Sequence, residues 1–206
     1  MAQFGTSNEK MSPIVLNLLI INALVYVAQM VMDKNMGLTN YIALYSYQSE
    51  AFKPYQLVTH MFAHSPTSFF HILFNMYALW MFGVVLERVW GPKKFLIFYF
   101  VCGLAAGLAQ MFTMDINGLA VGASGAIMGL LAAFAYLFPD TKFYILPFPF
   151  PIKAKFMVAI YAAIDLFGGL HPGPADNIAH FAHLGGMVMG FILVIIWGKT
   201  NNKTFY

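Results

Sequence analysis

The chain has 206 residues, of which 60% are hydrophobic, 17% aromatic and 9% charged, with a formal net charge of +3. A soluble domain carries about 25% charged residues, so this composition is that of a polytopic membrane protein with lipid as its solvent. The few scattered basic residues exclude a nucleic-acid footprint. The single cysteine, Cys102, excludes a disulfide framework and a cysteine metal site.

Residues 1–11 are short and polar, with Glu9 and Lys10. The first apolar run, 13–32, is longer than the ~7–15 residues of a signal-peptide core, and no Ala-x-Ala-like site follows it directly. It reads as a first transmembrane helix with Pro13 in its first turn. Residues 33–70 interleave Tyr41, Tyr45, Tyr47, Phe52, Tyr55, Phe62 and Phe69–Phe70 with charges and histidines. That pattern suits the membrane–water interface, and the segment is too long for a mere connector. Further spans are expected at 71–87, 94–113, 119–138, 154–170 and 177–197, each near the ~17–25 residues needed to cross. Cys102, within the third, reads as a small buried hydrophobe. Between the fourth and fifth, residues 138–153 are too proline-rich to continue a helix.

Charge sets the expected orientation. Lys10, Arg88, Lys93, Lys94, Lys142, Lys153, Lys155, Lys199 and Lys203 fall on one side, and only Lys34 and Lys53 on the other. The positive-inside rule then makes both termini cytoplasmic and turns the 33–70 loop outward.

Val121–Gly129, Val-Gly-Ala-Ser-Gly-Ala-Ile-Met-Gly, organises the rest. A serine among glycines suits close helix packing in lipid, and equally a buried nucleophile. Depth bears on that choice. If the fourth helix enters near Gly118 and the sixth near Asn177, both Ser124 and His183 lie ~9 Å below the outer surface at 1.5 Å per residue. His71 and Asn75, i and i+4 on the second helix, lie in the same leaflet. An imidazole within hydrogen-bond reach can take the serine proton. His71, Asn75 and the Ser124 N–H are candidate donors to the oxyanion. Gly125 and Gly129 on the fourth helix, and Gly186 and Gly190 on the sixth, would let these two helices approach closely. No carboxylate is expected at this depth, so a dyad fits better than a triad. The competing metal reading pairs His180 and His183 with His60 and His64, but lacks a supporting carboxylate. His180 otherwise reads as a packing or gating residue, and His60 and His64 as loop anchors.

Three separated motifs resemble the rhomboid intramembrane serine proteases: His71-Ile-Leu-Phe-Asn75, Gly122-Ala-Ser124-Gly125 with Gly129, and Ala182-His183-Leu-Gly-Gly186 with Gly190. His60-Met-Phe-Ala-His64 resembles the family as well. The resemblance implies an all-α polytopic membrane protein, a six-transmembrane-helix bundle over residues 12–198 with cytoplasmic ends (1–11 and 199–206). It implies a serine endopeptidase with Ser124 as nucleophile, His183 as base and then acid, His71, Asn75 and the Ser124 N–H at the oxyanion, and Gly122 in the turn before the nucleophile. The fifth helix and the loop after it would gate substrate entry. No cofactor or metal is expected. The expected partners are the lipid bilayer and single-span membrane-protein substrates, and the expected location is a bacterial cell membrane with the site facing the outer leaflet. Two departures stand out: Tyr55-Gln56 where many bacterial members carry Trp-Arg, and Met128 where many carry tyrosine. A methionine there can still pack on an imidazole through its sulfur. A non-catalytic binder of the same fold has no need of both Ser124 and His183. A transporter would be expected to show internal repeats and a midplane site, and neither is found.

Overall fold

The computed structural model describes residues 12–144, 150–173, 176 and 178–200, without the side chains of 198–200. The expected cytoplasmic segments 1–11 and beyond 200, part of the proline-rich turn, and Asn177 lie outside these. In chain order the elements are α1 (Pro13–Met36), α2 (Leu38–Ile42), β1 (Leu44–Tyr45), α3 (Gln56–Thr59), α4 (Phe69–Trp90), α5 (Pro92–Thr113), β2 (Leu119–Ala120), α6 (Ser124–Leu137), β3 (Lys142–Phe143), β4 (Ile152–Lys153), α7 (Ala154–Leu170) and α8 (His180–Thr200). Among the described residues four helices, α1, α4, α5 and α8, are long and apolar enough to cross a membrane. α6, with 14 residues, and α7, with 17, are shorter. The protein is a polytopic helical membrane protein.

Helix ends follow local chemistry. Pro13 opens α1, where its missing N–H is no loss. The next two backbone donors, Ile14 N–H and Val15 N–H, bond the buried Glu87 carboxylate of α4 at 3.1 and 2.9 Å. Gly37, in the left-handed conformation at φ 61°, closes α1 and lets the chain reverse into α2. Gly91, at φ 78°, turns α4 directly into α5, which opens on Pro92.

α6 is the central helix. Leu130 and Ala133 are wholly buried, and α6 packs against α4, α5, α7 and α8. The α6–α8 seam is backbone on backbone. A Cβ on Gly186 would strike the Gly125 carbonyl oxygen, and one on Gly190 would strike that of Gly129. Gly129 in turn lies against Cys102 of α5, where a Cβ would sit 2.7 Å from the sulfur. The expected glycine faces therefore meet each other, with the buried Cys102 filling space beside them.

Two expectations need correction. The fourth helix does not begin at 119: Leu119–Ala120 pair antiparallel with β1, Leu44 opposite Ala120 and Tyr45 opposite Leu119, and the helix starts at Ser124. Within this apolar stretch Ala120, Gly122 and Ala123 are buried in the strand and the turn after it, while Leu119 is exposed. The depth of Ser124 thus cannot be counted at helical rise from Gly118. The sixth helix starts at His180, not 177.

The 33–70 segment is folded back onto the bundle by buried polar groups. Gln29 of α1 donates to Thr39 Oγ1 (2.7 Å) and the His64 carbonyl (2.9 Å) and accepts the His64 N–H (3.0 Å). Gln56, 1% exposed, donates to the Ala51 and Tyr41 carbonyls and accepts the Lys53 N–H. Gln56 thus anchors the loop at one of the two positions that depart from the family pattern.

Candidate active site

Ser124 is the first residue of α6, where the backbone N–H groups of the opening turn have no intrahelical acceptor and the helix dipole presents its positive end. The approach to it is tightly determined. β2 is held by β1, and the Gly122 N–H bonds the His60 carbonyl at 2.9 Å. Gly122 then turns through φ 129°, a conformation L side chains rarely adopt.

His183 lies one turn into α8, and its Nε2 is 2.9 Å from Ser124 Oγ. Two neighbours fix that turn: Ala182 N–H bonds Gln110 Oε1 of α5 at 3.1 Å, and His183 N–H bonds the Ala179 carbonyl at 3.1 Å. The serine and histidine are 59 residues apart in sequence. The glycine seam, which begins one residue after Ser124 and three after His183, is what allows so short a contact.

On the other side of Gly122 stands His71 of α4. The point a Cβ on Gly122 would occupy is 3.0 Å from His71 Nε2 and 3.7 Å from Ser124 Oγ. The bare glycine therefore leaves a wedge open between imidazole and hydroxyl. Ser65 N–H donates to His71 Nδ1 at 3.2 Å, so the ring proton sits on Nε2 and points toward the wedge. Asn75, one turn on, is 7% exposed. Its Nδ2 donates to the His71 carbonyl at 2.8 Å, while its Oδ1 has no partner among the described residues. A cavity of about 10 Å³, lined in part by His60, Gly122, Ser124 and Ala182, adjoins the hydroxyl. It has room for about one water.

The structure also brings in a residue the sequence reading excluded. Asp165 of α7, 4% exposed, has its Oδ1 3.0 Å from His183 Nδ1 and 2.8 Å from His180 Nδ1. The expectation of no carboxylate at this level fails because α7 ends only five residues later, at Leu170. That places Asp165 ~7.5 Å from the helix end by helical rise, and its 3.0 Å contact with Nδ1 sets it beside His183. The signal was legible, since an ionisable residue inside an apolar run is a functional candidate by default. His180 is more than a packing residue: its Nε2 also reaches Asp176 Oδ2 at 3.0 Å. His60 and His64 do not join His180 and His183. The Nδ1 atoms of His60 and His64 face the Gln56 and Phe62 carbonyls, at 2.8 and 3.3 Å. Met128 packs, partly buried, against the bundle core.

A rhomboid domain model matches residues 51–200. The chain belongs to the rhomboid family. It is 36% identical over 135 residues to rhomboid protein 1, mitochondrial, of Saccharomyces cerevisiae, covering 63% of this chain and 38% of that one. It is 31% identical over 129 residues to RHOMBOID-like protein 1 of Arabidopsis thaliana, covering 62% and 31%. It is 30% identical over 135 residues to rhomboid protease GluP of Bacillus subtilis, covering 66% and 25%. The chain thus spans well under half the length of each of these three relatives.

Proposed function

We propose that the protein is an intramembrane serine endopeptidase that hydrolyses peptide bonds in or near the outer ends of transmembrane helices. The carrying observation is the 2.9 Å contact between Ser124 Oγ and His183 Nε2. The Ser124 proton passes to His183 Nε2 as Oγ attacks the scissile carbonyl. The resulting oxyanion sits in the wedge above Gly122, facing His71 Nε2–H, the Ser124 N–H at the positive end of α6, and the remaining Asn75 amide hydrogen. His183 then gives its proton to the leaving amine, and a water entering through the adjoining cavity hydrolyses the acyl-enzyme with the same base. Substrates are single-span proteins with a weakened helix, because an intact helix ties up its carbonyls in hydrogen bonds. The basic residues Arg88, Lys93, Lys94, Lys142, Lys153 and Lys155 gather at the end of the bundle away from Ser124. That supports a site facing the outer leaflet, and the membrane we propose for it is the cell membrane of a bacterium.

The test is cleavage of a helix-weakened single-span reporter by detergent-purified protein, with Ser124→Ala alongside and chelator throughout. Cleavage by wild type and none by the variant is the expected result. Loss of wild-type cleavage through chelator alone would favour a metal mechanism. No cleavage by either protein, across several reporters, would favour a non-catalytic binder of membrane helices.

A further inference from the structure

Beyond Ser124 and His183, a continuous hydrogen-bonded chain leads out of the site. Ser124 Oγ meets His183 Nε2, and His183 Nδ1 meets Asp165 Oδ1. The same oxygen meets His180 Nδ1, and His180 Nε2 meets the exposed Asp176 at Oδ2. The chain's polarity is fixed by what each atom can do. A carboxylate oxygen only accepts, so both imidazoles must carry hydrogen on Nδ1. For His183 this leaves Nε2 as the lone-pair nitrogen, turned toward the serine. For His180 both nitrogens face carboxylate oxygens, so both carry hydrogen and the ring is a cation. Asp176 is ionised, held below the usual carboxylate range by the Ile178 N–H (3.0 Å) and then by His180. Gly168 of α7 leaves the space this cation fills, since a Cβ there would lie 2.5 Å from the His180 ring.

We propose that Asp165 is a positioning residue that holds His183 in the tautomer able to accept the serine proton, with His180, tethered by Asp176, as its counter-charge. The proposal rests on the protease reading above. The chemistry balances without moving a proton onto the carboxylate. The Ser124 proton goes to His183 Nε2 as the Oγ–carbon bond forms, and leaves on the amine as the carbon–nitrogen bond breaks. Asp165 accepts the same two N–H groups throughout and stabilises the transient His183 cation. A buried carboxylate without a partner would be expensive in lipid, and the shared His180 supplies that partner. The arrangement therefore has three members where two were expected, with a fourth and fifth holding the third.

The experiment compares wild type, Asp165→Asn and His180→Asn for kcat and KM on the reporter across pH, with fluorophosphonate labelling of Ser124 in parallel. The groups facing His183 are Ser124 on α6, Asp165 on α7, His180 on α8 itself and, within electrostatic reach, His71 on α4. From α5 the adjacent group is the neutral Gln110 amide. Asp165→Asn is expected to lower kcat by about 10²–10⁴-fold, with KM changed less than about threefold, and to move the acid limb of the kcat profile to lower pH. His180→Asn removes a positive charge and is expected to move that limb the opposite way. A merely structural role would not give opposite shifts. Wild-type kcat and pH profile in Asp165→Asn would overturn the proposal while leaving the protease reading intact. Wild type that neither cleaves nor labels would overturn both. Should Asp165→Asn not fold, ¹⁵N-histidine spectra of the wild type decide: Nδ1–H with bare Nε2 at His183 is expected, and the reverse tautomer overturns the proposal.

Discussion

At the scale of single residues, Gly122 carries two constraints at once. Its φ of 129° disfavours any side chain, at about 1–3 kcal/mol for a residue held in such a region. Its missing Cβ keeps the wedge between His71 Nε2 and Ser124 Oγ open. Gly122→Ala is expected to reduce kcat on the reporter at least tenfold while fluorophosphonate labelling of Ser124 falls less. The methyl group, nearer His71 Nε2 than Ser124 Oγ, would fill the proposed oxyanion position before it obstructed the serine. Equal loss of both would place the damage in the backbone path to Ser124. Residue type and spacing made Ser124, His183, His71 and Asn75 legible in sequence, because polar groups in apolar runs converge on few positions. Asp165 was passed over although it too stands alone in an apolar run. Depth reckoned on the second, fourth and sixth helices leaves it out, because Asp165 lies on the fifth, five residues before α7 ends at Leu170, and meets His183 from there. The anchoring amides Gln29, Gln56 and Gln110 were hidden for a different reason. A neutral amide reveals nothing until the backbone groups it satisfies are placed.

At the scale of elements, the α6–α8 seam decides whether Ser124 and His183 can meet. The sequence announced it through glycines four apart on both helices, and the structure sets Gly186 on Gly125 and Gly190 on Gly129. Here a Cβ would meet main-chain oxygen, which cannot rotate away as a side chain does. Gly186→Ala is therefore expected to destabilise the protein by about 1–3 kcal/mol, as overpacking does, and to lower kcat by pushing His183 off Ser124. Gly173→Ala is the control: among the described residues nothing lies within 4 Å of its added Cβ, and the change should stay within about 0.5 kcal/mol. Thermal denaturation in detergent measures both, and a Gly186→Ala variant as stable as the control would mean the seam is looser than described. The start of α6 was less legible. An apolar run has the same composition whether it is a buried strand or a helix turn. Only the pairing of Leu119–Ala120 with Leu44–Tyr45, some 75 residues earlier in the chain, tells the two apart.

At the scale of the whole molecule, the 33–70 segment is a wall of the site, since the His60 carbonyl holds Gly122 and the Ser65 N–H holds His71. Its docking depends on two imidazoles buried outside the spanning helices. Burial lowers His60 from 6.5 to about 4, against the opposing pull of the Gln56 carbonyl. Burial lowers His64 to about 4 as well, with the neighbouring His71 ring, 5.2 Å away, adding to the effect. Both rings are therefore neutral when the segment is docked and ordinary when it is solvated. The sign of the pH dependence follows. Above pH 6.5 neither state binds the extra proton and docking is at full strength. Between 6.5 and about 4 the solvated segment binds protons that the docked one does not, so docking weakens steadily as pH falls. Acid is thus expected to detach the segment before it melts the helices. Limited proteolysis between residues 37 and 68 should accelerate from pH 7.5 to pH 4.5 while helical circular dichroism holds. Proteolysis unchanged over that range would show that the two histidines stay docked in their charged form and that some carboxylate or lipid headgroup pairs with them.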